Sequence, residues 1–125
     1  MSSLPTSKVT STLHGSTLVF SILERKMRDL ATVNEVKDAM LIAVKGASPN
    51  RIIIDLQYVD FIGSVGFLAF LALRRESGVE SITLCGMIQN VREVFSLCKL
   101  ISNETISKAP FQVADTVESA LPMYR

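Results

Sequence analysis

A chain of 125 residues is the length of one ordinary domain. Hydrophobic residues make up 48% of it, enough for a packed core, and 13 basic side chains against 12 acidic leave a net charge of +1. So even a balance provides no basic field for a polyanion, which argues against nucleic-acid binding.

Residues 1–8 read as a polar leader. They lack the apolar middle region of a secretory signal, so the expectation is a cytoplasmic protein. Residues 9–125 then form a single domain. From Val9 to Leu23, two strand-like runs flank His14-Gly15; Leu18, Phe20 and Ile22 share one face at period two, the pattern of a hairpin. His14, the sole histidine, reads as a turn residue. Thr32-Val-Asn-Glu35 has the form of a capping box and opens a helix over about 32–45, with Val33, Val36, Met40 and Ala43 or Val44 as its buried stripe and Gly46 as its stop.

The continuous apolar run Arg51-Ile-Ile-Ile-Asp-Leu56 reads as a central strand buried on both faces. A loop and short extended segment, Tyr58–Gly63, lead to Ser64, which reads as the N-cap of a second helix that ends at Gly78. That helix is apolar on nearly every side through Phe67–Leu73, so heavy burial is expected. The same run is far shorter than the roughly 20 residues that cross a bilayer, so no membrane insertion is expected. Ser81–Cys85 is a further strand broken by Gly86. Ile88, Val91, Val94 or Phe95, Cys98 and Ile101 define a third helix. Glu104–Ser107 is a weak last strand, and Asp115-Thr-Val-Glu118 a cap for a short final helix. Both cysteines, Cys85 and Cys98, lie in apolar stretches and read as reduced core thiols. The order β-β-α-β-α-β-α-β-α predicts an α/β fold with crossover helices.

Signs of catalysis are missing. Neither glycine-rich nucleotide cradle occurs, one histidine makes no metal pair, and Gly63-Ser64-Val65-Gly66 is not a nucleophile elbow. Asp55 and Asp60 flank the end of the central strand, and Asp55 reads as a strand-end acid bonded to backbone N–H groups. No enzyme activity, cofactor or metal is expected.

The stretch Ile52-Ile-Ile-Asp-Leu-Gln-Tyr-Val-Asp-Phe-Ile-Gly-Ser-Val-Gly-Phe-Leu-Ala-Phe-Leu resembles the STAS family, the anti-sigma-factor antagonists and their relatives. Ile82-Thr-Leu-Cys-Gly-Met87, Val91-Arg-Glu-Val-Phe95 and Phe111–Leu121 continue the likeness, which spans about residues 9–121. It implies a STAS-like fold: a mixed sheet of four to five strands with about four helices. It also implies a protein-binding role. Ser64 falls on the position that a partner kinase phosphorylates in regulatory members, and Asp55, Asp60, Phe61, Gly63, Ser64, Val65 and Gly66 become the expected partner-binding residues. The implied partner is an anti-sigma factor that is a serine-protein kinase of the histidine-kinase-like ATPase fold; self-association into a homodimer stays open. Two positions depart from the family pattern: Gly63 stands where the family has an acid, and Val65 where it has a second serine. These departures keep a second function in play, a non-phosphorylated scaffold subunit that pairs with a transporter ATPase or other signalling complex.

Overall fold

The computed structural model describes residues 8–98 and 110–121. The hairpin forms where the alternation placed it, with β1 at Val9–His14 and β2 at Thr17–Ile22 paired antiparallel. A two-residue strand β3 (Lys26–Met27) leads into α1 (Leu30–Ala47). Then follow β4 (Arg51–Asp55), β5 (Phe61–Ile62), α2 (Ser64–Ser77), β6 (Ser81–Cys85), α3 (Gln89–Leu97), β7 (Gln112–Ala114) and α4 (Val117–Ala120). The main sheet runs β1-β2-β4-β6-β7, with every pair after the hairpin parallel; β3 and β5 form a separate two-residue parallel ladder. This is the expected mixed α/β architecture, with five strands in one sheet and four helices among the described residues.

Strand alternation divides the core in two. On one face, Leu18, Phe20, Ile22, Ile52, Ile54, Ile82 and Leu84 pack under α1, α2 and α3. Phe70, Phe95 and Phe111 meet there with ring centroids 6.0–6.4 Å apart, and Phe67 lies edge-on to Phe95 at 4.7 Å. Phe70, Phe95 and Phe111 are fully buried, and each contributes about 1.5–3 kcal/mol of transfer free energy. On the other face, among the described residues, Val19, Ile53 and Cys85 pack with Ala120 of α4 and with Ala114, Val117 and Leu121.

The α1 stripe forms with Val33, Val36 and Met40 buried, and of the two candidates for its last position Val44 is buried and Ala43 half-buried. The start of the helix differs from the expectation. Asp29 is the N-cap and its carboxylate accepts from the Thr32 N–H at 2.9 Å, so Thr32 sits inside the first turn. Aspartate caps at least as well as threonine. Gly46 is helical, and the chain turns two residues later at Ser48, which takes φ 49°.

In α2, Gly63 is the cap and Ser64 the first helical residue. The helix is not buried all round, since Leu68 is 65% exposed. For α3, Val91 and Phe95 form the buried stripe and Val94 is exposed; the helix ends at Leu97, which leaves Cys98 exposed instead of in the core. Cys85 is the buried thiol. Burial, then the nearby Asp55 and Glu118, push it up to about 12, so it is an uncharged thiol at neutral pH. The final helix is boxed by Thr116 and Ser119 instead of Asp115 and Glu118. Residues 1–7 of the expected leader 1–8, Ile101 and the strand expected at Glu104–Ser107 lie outside the described residues.

Candidate functional site

Two short segments distant in sequence build the start of α2. The Asp60 and Phe61 N–H groups donate to the Arg25 carbonyl at 2.8 and 3.3 Å, and the Gly63 N–H donates to the Met27 carbonyl at 2.8 Å. Side chains reinforce this ladder. The Asp60 carboxylate accepts from Arg25 Nε and Nη2 at 3.1 and 2.9 Å, and from Lys26 Nζ at 3.1 Å. These bonds, Lys26 first and Arg25 second, hold the Asp60 carboxyl below the usual carboxylate range. Asp60 is thus an ionised clamp that ties the loop before α2 to the segment before α1.

The clamp fixes the residues that follow. Phe61 projects outward at 45% exposure, and Ile62 turns into the core. Gly63 has extended backbone, φ −86° and ψ −178°, and gives α2 no side-chain cap. The nearest atoms a Cβ there would meet are Phe61 Cε2 at 3.5 Å and Arg28 Cα and Cβ at 3.6 Å, ordinary contacts. Ser64 is exposed in the first turn, and Val65 is half-buried against the core.

Gly66 differs. It is buried, and a Cβ there would stand 2.6 Å from Ile62 Cγ2 and 2.9 Å from the Met27 carbonyl oxygen. The backbone that approaches Gly66 is therefore its own chain, and the residue serves helix seating instead of opening a surface to a partner.

Asp55 does not join the cluster. It lies two residues after Ile53 in β4 and shares its side of the strand, so it points to the α4 face of the sheet, away from α2. It is 6% exposed. Its Oδ1 accepts from the Gln57 N–H at 3.0 Å and its Oδ2 from Gln57 Nε2 at 2.7 Å. The expected backbone bond is present, and it closes the turn after β4. Gly86, at φ 70°, lies against the same carboxylate; a Cβ there would be 2.8 Å from Oδ1.

The outward site is therefore Asp60, Phe61, Gly63, Ser64 and Val65. Sequence reasoning missed its other half, the basic run Arg25-Lys26-Met27-Arg28, although three cations in four residues were legible as a cluster. It also missed Leu68, one turn beyond Ser64. Beside Phe61, a shallow groove of about 140 Å³ is lined by Ile62, Phe67, Val91 and Val94, with Asp60 and Asn90 at its edge. Together these give an exposed hydroxyl within an apolar and charged surround, the composition of a protein-docking surface.

Among the described residues, no three His, Cys, Asp or Glu side chains are placed to hold a metal, and no helix is long and apolar enough to cross a membrane.

A family model described as STAS domain matches residues 14–120. Solved structures share the fold. An anti-sigma-factor antagonist from Mycobacterium paratuberculosis is 26% identical with a TM-score of 0.69, covering 96% of this chain and 97% of that one. An anti-sigma-factor antagonist (STAS) domain protein from Planctomyces limnophilus is 20% identical with a TM-score of 0.73, covering 95% and 98%. The phosphorylated form of the Bacillus cell fate determinant SpoIIAA is 20% identical with a TM-score of 0.63, covering 94% and 99%. No curated protein matches significantly in sequence.

Proposed function

Because this chain belongs to the STAS domain family, we propose that it is an anti-sigma-factor antagonist. In this reading it binds a serine-kinase anti-sigma factor through the surface around Asp60, Phe61, Gly63, Ser64 and Val65, and phosphorylation of Ser64 by that kinase releases it. The carrying observation is the exposed Ser64 at the start of a helix that no side chain caps. A phosphate there adds about −1.5 to −2 charges and three acceptor oxygens. The positive end of the α2 dipole favours that charge, so the domain stays folded. A partner packed flat on Phe61 and Leu68 meets new charge and bulk, so the contact breaks. The domain acts by being bound or not bound; no chemical step is assigned to it.

The test mixes the protein with such a kinase and ATP and reads the mass of the Ser64 peptide. One added phosphate on Ser64 is the expected result, and an unmodified peptide rejects the switch. Ser64→Asp is expected to weaken kinase binding while the thermal midpoint stays nearly unchanged; unaltered affinity counts against the docking surface.

Gly63 favours a second reading, since it removes the family's acid from the residue before the hydroxyl. In that reading the same surface pairs permanently, without phosphorylation, with a transporter ATPase. Stable co-purification with such an ATPase, indifferent to Ser64→Asp, distinguishes it.

A further inference from the structure

Among the described residues, the main sheet ends in two unlike edges. β7 presents three residues at one and β1 presents six at the other. The Leu23 N–H donates to the Lys8 carbonyl at 2.7 Å, which fixes the alternation of the β1–β2 ladder. By that alternation, the backbone groups of Thr10, Thr12 and His14 face β2, whereas those of Val9, Ser11 and Leu13 face away from the sheet.

Natural edges are commonly blunted by lysine, proline, a bulge or shortness. The β1 sequence Val-Thr-Ser-Thr-Leu-His has no lysine, carboxylate or proline, and its pairing with β2 runs unbroken from Val9 to His14. Nor does α1 close over it. Glu35 reaches Lys8 at 3.9 Å, which places that face of α1 along the edge. Ile42, two turns further on the same face, is 68% exposed, and Leu13 is 50% exposed.

We propose that β1 is a self-association edge, at which a second copy of this chain adds its own β1 antiparallel across a two-fold axis at Ser11. In that register Ser11 faces its counterpart, and Val9 of each copy faces Leu13 of the other. All three outward-facing residues then enter hydrogen-bonded pairs. An axis moved to Thr10 or Thr12 pairs only two of them, which selects the register. The strand carries no lysine, arginine or carboxylate, and Ser11 faces Ser11 at the axis, so no like charges meet there. The same arrangement sets the two α1 helices on one face of a fused sheet, where Leu13 and Ile42 gain apolar cover. β1 lies almost wholly ahead of the family match, which begins at residue 14, and the proposal is independent of the role given to Ser64.

The test uses the full chain. Sedimentation is expected to show a concentration-dependent dimer. In a Cys98→Ser background, Ser11→Cys should form an intermolecular disulfide under mild oxidation, because hydrogen-bonded antiparallel pairs hold Cα atoms about 5.5 Å apart, within disulfide reach of about 4.4–6.8 Å. Thr12→Cys, whose counterpart is displaced along the strand, should not cross-link. Ser11→Pro removes only an outward N–H and should give a monomer with an unchanged far-UV spectrum; if it fails to fold, the cross-linking pair decides alone. A wild-type monomer at every concentration, equal cross-linking at positions 11 and 12, or a dimer that survives Ser11→Pro overturns the proposal.

Discussion

The helices α1 and α2 both follow a strand of the β3–β5 ladder, with Arg28 beside Gly63, yet they start in opposite ways. Asp29 locks α1 by accepting from the Thr32 N–H, and its carboxyl is held below the usual carboxylate range by that bond. Gly63 gives α2 no such bond. What seats α2 is a close backbone fit, with Gly66 pressed on Ile62 and the Met27 carbonyl. A helix held by fit can lose or gain a polar group at its first residue without coming loose. That is the condition for a surface hydroxyl to be a switch, and α1 does not meet it.

The contrast can be broken at four places. Gly66→Ala has the largest expected effect, because the new methyl overlaps backbone and core. Overpacking of this kind costs about 1–3 kcal/mol, read as a lower midpoint in urea with an unchanged slope. A wild-type midpoint would mean that α2 is not seated there.

Asp29→Ala should lower stability less than Gly66→Ala, and only where the carboxylate is charged. The folded value is lowered, so the contribution is fully present above the ordinary carboxylate range, about pH 4. It is lost as pH falls through the lowered value. Thermal melts of wild type and variant should therefore differ at neutral pH and converge in acid; a gap that persists in acid points to packing instead.

Gly63→Asp should be tolerated, since a Cβ there makes ordinary contacts and φ is ordinary, and a better cap gains roughly a few tenths of a kcal/mol. It also restores the family acid, so phosphorylation of Ser64 by a partner kinase should become faster. A marked loss of stability would show that the glycine is there for space. Ser64→Ala is the smallest change and should leave the melt within about 0.5 kcal/mol of wild type, while abolishing any phosphate uptake.

The sequence alone determined the local pattern. Period-two alternation placed the hairpin, β-branched runs placed Arg51–Asp55 and Ser81–Cys85, and the apolar stretch between Ser64 and Gly78 bounded α2 to within a residue. These features repeat every two to four residues and need no distant partner to be seen. Which of two adjacent signals prevails is another matter. Asp29 over Thr32, burial of Asp55 beside Gln57 away from the α2 surface, exposure of Leu68 and Cys98, and the role of Gly66 all depend on what lies across the fold. Residues 25–27 reach that surface only by pairing with residues 60–63, some 35 positions later. Such pairings depend on shape and hydrogen-bond geometry between segments, and a one-dimensional pattern carries no record of them.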